Sequence, residues 1–189
     1  MSHFYVRVNK TGSLSMVNWL KCSVNKCERH QYRWGKEQLH NIIQTRKNLK
    51  FFTVVRNPYA RAVSIWKHLF NKHKFIEFLK LDYEDMNQTQ LYHAIPQYDY
   101  ISDSDGSINY LSHVGRLENI NTTCQYLINN GYADLKNVEF PHEHKSTSFT
   151  QDIKHVPYTH YYNDEAIELV EEKYSIDFEH FDYTFGDNV

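Results

Sequence analysis

Phe51-Phe52-Thr53-Val54-Val55 is an unbroken run of bulky, mostly apolar residues, with Lys50 before it and Arg56-Asn57-Pro58 after it. Aromatic and β-branched side chains suit the pleated backbone, and a short strand that is apolar in both directions must be covered on both faces. Pro58 cannot donate to a strand ladder, and its fixed φ suits the first turn of a helix. Tyr59, Val63, Trp66 and Phe70 then recur at helical spacing. A doubly covered strand running straight into a helix is the building unit of an α/β protein with a parallel sheet.

The same grammar recurs along the chain. Phe4-Tyr5-Val6-Arg7-Val8 reads as another strand. Asn9 to Ser13 form a turn containing Gly12, and Thr11 or Ser13 can cap a helix carrying Leu14, Val17, Trp19 and Leu20. The spacing of Leu39, Ile42 and Ile43 predicts a helix over Lys36–Lys47. Asp103-Ser104-Asp105-Gly106 is predicted to be a turn joining two short strands, Tyr98–Ser102 and Ile108–Val114. A helix over Glu118–Asn130 turns Ile120, Cys124, Leu127 and Ile128 inward and stops at Gly131. Residues 132–160 read as a long loop rich in His, Lys, Ser and Thr, and loops of such length are commonly functional. A last helix is predicted over Asn163–Tyr174, with Ala166, Ile167, Val170 and Tyr174 on one face. There is no internal repeat and no low-complexity tract. The expected fold is therefore α/β, a central parallel sheet flanked by helices, in one compact domain over residues 1–189.

Composition narrows function by exclusion. With 21 Lys+Arg against 23 Asp+Glu the net charge is −2, which argues against a general nucleic-acid coat but permits a local basic pocket. A hydrophobic fraction of 41%, carried heavily by 15 Tyr and 11 Phe, is enough for a real core. Three cysteines, Cys22, Cys27 and Cys124, are too few and odd in number for a disulfide framework, and no second Cys/His pair stands at zinc-finger spacing. The 12 histidines are scattered, so no metal site is expected. The amino terminus enters a strand at once without an apolar leader, and no stretch approaches the ~18 apolar residues of a membrane span. As the sequence stands, the expectation is a cytoplasmic protein with no membrane segment and no nucleic-acid partner.

Two turns carry the chemistry. In Val8-Asn9-Lys10-Thr11-Gly12-Ser13-Leu14-Ser15 a strand gives way to a helix. A helix N-terminus offers unpaired N–H groups and the positive end of the dipole, and so attracts phosphate or sulfate. Gly12 lets the backbone approach an anion closely, Lys10 adds a full charge, and Thr11, Ser13 and Ser15 add hydroxyl donors. The order differs from the ATP-type loop, because here the lysine precedes the glycine. Read alone, the segment is equally a capped helix with a solvated lysine. In the second turn, Arg56 follows the buried strand and precedes the Pro58 helix, at the sheet edge where open α/β proteins bind ligands. Its planar fork suits a phosphate, and Ser64 lies about two turns along the helix. Read alone, Arg56 can also pair a core carboxylate, and Ser64 can simply bond the helix backbone.

Taken together, the two turns resemble the paired signatures of sulfotransferases that use 3′-phosphoadenosine 5′-phosphosulfate (PAPS). The carbohydrate-type family, with its heparan sulfate 2-O- and chondroitin sulfotransferases, is the nearer likeness. There a K-T-G-[ST]-[ST]-S loop grips the 5′-phosphosulfate and an R-N-P-[YW]-x-R-x-x-S stretch grips the 3′-phosphate. Here they read Lys10-Thr11-Gly12-Ser13-Leu14-Ser15 and Arg56-Asn57-Pro58-Tyr59-Ala60-Arg61-Ala62-Val63-Ser64. Pro96-Gln97-Tyr98-Asp99-Tyr100-Ile101, Val114-Gly115-Arg116-Leu117-Glu118-Asn119-Ile120 and Pro141-His142-Glu143-His144-Lys145-Ser146 are similar to further family stretches. So are Tyr161-Tyr162-Asn163-Asp164-Glu165 and Asp177-Phe178-Glu179-His180-Phe181-Asp182-Tyr183. Three positions depart from the pattern: Leu14 replaces a hydroxyl residue, His144 stands where Asn is common, and Asp182 stands where Gly is usual.

The resemblance implies a P-loop-like sulfotransferase fold and transfer of a sulfuryl group from PAPS to a hydroxyl acceptor, most readily on a carbohydrate, with adenosine 3′,5′-bisphosphate (PAP) as product and no metal. It implies donor binding by Lys10, Thr11, Gly12, Ser13, Leu14, Ser15, Arg56 and Ser64. Lys145 and Ser146 would act from residues 132–160 as a flap over the nucleotide. Lys10 is the candidate for stabilising the leaving phosphate oxygen, with Ser15 restraining it. The acceptor hydroxyl needs a general base, for which His30 is the first choice and Glu28 and His40 are alternatives. Arg61 is expected on a helix surface, Arg116 and Glu118 as a structural ion pair or in an acceptor cleft, and Trp34 as a stacking surface. Tyr59, Trp66, Tyr161 and Tyr162 are expected in the core. Two other classes remain open: a nucleotide kinase, disfavoured by the Lys-before-Gly order and the lack of an evident Mg²⁺-holding carboxylate, and a nucleotide-binding module without catalysis.

Overall fold

The structure is a computed structural model that describes residues 3–23, 27–29, 36–131, 140 and 156–187. Its elements in chain order are β1 (His3–Val6), α1 (Ser13–Ser23), β2 (Cys27–Arg29), α2 (Lys36–Thr45), β3 (Lys50–Val55) and α3 (Pro58–Leu69). There follow α4 (Phe75–Leu79), α5 (Gln88–Ala94), α6 (Gln97–Ile101), β4 (Leu111–Arg116), α7 (Ile120–Asn129), α8 (Asp164–Lys173) and α9 (Ser175–Phe181). The chain divides into two compact units, Met1–Val55 with Asp99–His144, and Arg56–Tyr98 with Lys145–Val189.

The first unit holds a sheet whose described strands run parallel in the order β2-β1-β3-β4. The parallel α/β expectation thus holds. β1 and β3 are neighbours, with Phe4 opposite Phe51 and Tyr5 opposite Phe52. Tyr5 and Phe52 stack with ring centroids 5.1 Å apart. Thr53, the one polar residue of the apolar run, is buried and satisfied because its hydroxyl donates to the Val6 carbonyl at 2.8 Å. Met16, Val17, Trp19 and Leu20 of α1 and Ile120, Cys124 and Leu127 of α7 complete this core around Tyr5, Phe52 and Val54. Gly115 in β4 is needed for packing: a Cβ there would lie 2.4 Å from Thr123 Cγ2 on α7.

Tyr98–Ser102, expected as a strand, is helical through Ile101, the end of α6. Its first N–H groups are capped by a carboxylate far along the chain, a partner that local propensity does not contain. β4 begins at Leu111, inside the predicted Ile108–Val114 span. Gly131 ends the α7 segment with φ +72, as its position predicts.

His113 of β4 lies face to face with Tyr126 of α7, centroids 3.9 Å apart, and its buried Nε2 meets no hydrogen-bond partner among the described residues. Burial pushes this imidazole below its ordinary value of 6.5. The folded state therefore binds the proton less tightly than the unfolded chain, so stability is retained above that value and lost as pH falls through the lower folded one. His113→Phe keeps the ring stack and removes the orphan nitrogen. It is expected to raise stability by about 1 kcal/mol and to flatten the decline in urea midpoint between roughly pH 7 and 5. An unaltered slope would assign the acid sensitivity elsewhere.

The second unit is helical. Its core joins Tyr59, Ala62, Val63 and Ile65 of α3 to Phe75, Phe78 and Leu79 of α4, Ala94 of α5, and Ala166, Val170 and Tyr174. Trp66, Tyr161 and Tyr162 pack against it, as expected of core aromatics. The Tyr59 hydroxyl donates to Glu171 at 2.6 Å. Lys173, depressed below its ordinary value by burial, donates to the carbonyls of Leu79, the last residue of α4, and Leu81. α9 ends at Asp182 with φ +49, the left-handed region that glycine enters freely. Asp is among the few side chains that tolerate this conformation.

Candidate functional site

The β1–α1 turn is built by two left-handed residues, Lys10 at φ +66 and Gly12 at φ +70. For a lysine this backbone costs roughly 1–2 kcal/mol, which the surrounding turn must hold in place. It is held on both sides. Thr11, fully buried, donates its hydroxyl to the Val8 carbonyl at 3.1 Å, and Asn9 Nδ2 donates to the Tyr100 hydroxyl at 3.2 Å. Gly12 is favoured by its φ, and a Cβ there would press the Leu117 side chain aside, at 2.7 Å from its Cδ1. Its carbonyl accepts the Met16 N–H and so opens α1.

α1 has no acidic residue in its first turn, leaving the positive end of its dipole uncompensated there. Ser13 and Ser15 are buried and Leu14 is exposed. The sequence-predicted residues Lys10, Thr11, Gly12, Ser13, Leu14 and Ser15 thus share one strand-to-helix turn, an arrangement suited to an anion.

The second turn starts at Arg56, which directly follows Val55 of β3 and is half-buried. Asn57 caps α3: its Oδ1 accepts the Tyr59 N–H at 2.9 Å, with Pro58 at the first helical position. Asn57 Nδ2 donates to the Thr184 carbonyl at 3.2 Å and to the Tyr158 hydroxyl at 3.4 Å. Ser64 lies half-buried on α3.

The backbone of Arg56 is gripped from both sides by one side chain. Gln97 Oε1 accepts the Arg56 N–H at 2.8 Å, and Gln97 Nε2 donates to the Arg56 carbonyl at 2.8 Å. Gln97 is in turn held by Asp177, whose carboxylate accepts the N–H groups of Gln97 and Tyr98 at 2.9 and 2.8 Å. Burial pushes the Asp177 carboxyl up, and the charge of Arg61 and these N–H groups oppose that. Arg61 is a correction to the sequence reading: it is buried rather than on a helix surface. Its guanidinium donates to the carbonyls of His93 and Ile95 at 2.9 Å and lies over the Tyr174 ring.

His40, an alternative base, has its Nδ1 at 2.5 Å from Asp103 Oδ1 and 2.8 Å from Ser104 Oγ. Burial alone would raise Asp103, but the Ser104 N–H and the His40 ring outweigh it and hold the carboxyl below its ordinary value. Glu28 belongs to β2. His30, Lys145, Ser146, His144, Trp34 and most of the 132–160 flap lie outside the described residues. Arg116 and Glu118 are half-buried at the end of β4 and in the turn after it.

A family model described as the sulfotransferase family matches residues 2–184. The chain belongs to the sulfotransferase family. No curated protein and no solved structure matches it. As a sulfotransferase it moves a sulfuryl group to an acceptor. Among the described residues no helix of this sulfotransferase is long and apolar enough to cross a membrane. Sequence reasoning missed the link from Arg56 through Gln97 to Asp177. Gln97 and Asp177 stood inside two of the recognised stretches, Pro96–Ile101 and Asp177–Tyr183, but nothing local tied them to Arg56.

Proposed function

We propose that this sulfotransferase takes its sulfuryl group from PAPS and delivers it to a hydroxyl, most readily of a carbohydrate, releasing PAP. The observation that carries the reading is the β1–α1 turn. A cationic Lys10 held left-handed, Gly12 without a side chain, and a helix start lacking any acidic residue fit a sulfated phosphate. PAPS supplies the activated sulfuryl group when bound. Lys10 then stands to neutralise charge on the leaving phosphate oxygen, with Ser15 restraining it, while Ser13 and the N–H groups of the turn, that of Thr11 among them, bind the donor's other oxygens. Arg56 and Ser64 take the 3′-phosphate. Support for pairing the turns in one donor comes from their order in the sequence, each standing between a strand and a helix. His30 is the proposed base, with Glu28 and His40 as alternatives, and Lys145 and Ser146 close over the nucleotide.

One observation favours a second reading. Leu14 puts an exposed apolar side chain where related loops carry a hydroxyl, as a nucleotide-binding protein without transfer would tolerate. The test is thermal stabilisation by PAP without metal, followed by transfer of ³⁵S from labelled PAPS to a panel of glycans. At a hundredfold excess over its Kd, PAP is expected to add about 2.7 kcal/mol to stability. Stabilisation by PAP with no labelled glycan and no effect of His30→Ala would select the binding reading. A response only to ATP with Mg²⁺ would reject both.

A further inference from the structure

We propose that Gln97 is a positioning residue for the phosphate grip of Arg56, acting through the Arg56 backbone; this rests on the donor reading above. Arg56 lies one residue past the last residue of β3, where the ladder ends. Gln97 supplies what a neighbouring strand would: an acceptor for the Arg56 N–H and a donor for its carbonyl, both at 2.8 Å, from one planar amide. Its orientation is fixed by chemistry, because Nε2 faces two acceptors, the Arg56 carbonyl and Asp177 Oδ2 at 3.3 Å. Glutamate would put an oxygen against both, and asparagine is one methylene short.

The amide is itself anchored. Gln97 is fully buried, and its own N–H also ends on Asp177. Arg61 fastens the carbonyls of His93 and Ile95, the segment that leads into Gln97. A buried amide and a buried carboxylate are a poor way to gain stability alone, since apolar packing of the same volume does as well or better. What they define is a position. They fix the φ/ψ of Arg56, whose side chain is to meet the 3′-phosphate, and the next residue, Asn57, is fixed in turn by its cap on the Tyr59 N–H.

The test measures affinity of the full chain for PAP and for AMP, which lacks the 3′-phosphate. Their ratio isolates what Arg56 contributes, and general loosening of the fold lowers both affinities together. Wild type is expected to favour PAP strongly, and Arg56→Ala to remove most of that preference. Gln97→Met, of similar volume but without the amide, is expected to cut the ratio roughly tenfold or more while AMP affinity stays within about twofold. Gln97→Glu, which keeps shape but reverses the donor, should cut it as far. The double variant Arg56→Ala, Gln97→Met should be no worse than Arg56→Ala. A full PAP preference in both Gln97 variants, with Arg56→Ala abolishing it, would overturn the positioning role and leave the donor reading intact. A wild-type protein indifferent to the 3′-phosphate would overturn both at their shared premise.

Discussion

Lys10→Ala is expected to slow sulfuryl transfer by roughly 10²–10³-fold while changing PAP affinity much less, because its proposed role puts its charge where negative charge grows on the leaving oxygen. The backbone sharpens the test. Lys10 is held at φ +66, a conformation that costs a side chain but not glycine. Lys10→Gly should therefore raise the urea midpoint, by up to about 1 kcal/mol of stability, and still lose activity as severely as the alanine variant. A more stable and nearly inactive enzyme would mark the strain as retained for the charge it aims. Single-turnover transfer and PAP calorimetry on the same preparations separate the outcomes, and equal losses in rate and affinity would contradict the leaving-group role.

Elements whose logic is local were legible. The apolar run at Phe51–Val55, the glycine turn before α1 and the proline start of α3 each carry their instructions within a few residues. The same holds for the Lys10 turn, since a glycine between a strand and a hydroxyl-rich helix start needs no distant partner. The elements missed between Leu69 and Pro96 are too short for periodicity. α4 is a turn and a half, and α5 two turns. Their legible signs were caps: Asn87 accepts the Thr89 and Gln90 N–H groups, and Glu77 accepts the Lys74 N–H. α6 was misread because Tyr98 and Tyr100 favour strands, whereas its N-terminus is satisfied by Asp177. Arg61 was misread because an arginine between alanines on a helix looks solvated until its carbonyl partners come from another element.

Arg61→Met is expected to cost about 3–5 kcal/mol, because it leaves the buried His93 and half-buried Ile95 carbonyls without their charged donor and removes the positive charge that opposes the desolvation of Asp177. Against a typical total of about 5–15 kcal/mol, such a loss leaves the protein barely folded. The pH dependence gives the mechanism away. Burial already raises the Asp177 carboxyl above its ordinary value of 3.8, with Arg61 the largest opposing influence. A raised folded value means the folded state holds the proton more tightly. The stability linked to it is fully present below the unfolded value and is lost as pH rises through the folded one. Removing Arg61 raises Asp177 further, so the variant's deficit against wild type should be largest near neutrality and shrink as acidification protonates the carboxyl. Combining Arg61→Met with Asp177→Asn should cost less than the two changes summed, since the second removes the charge the first strands. A series of urea titrations from neutral to acidic pH decides it. A deficit independent of pH would mean that Arg61 serves only the His93 and Ile95 carbonyls, and that Asp177 is held by Gln97 and Tyr98 alone.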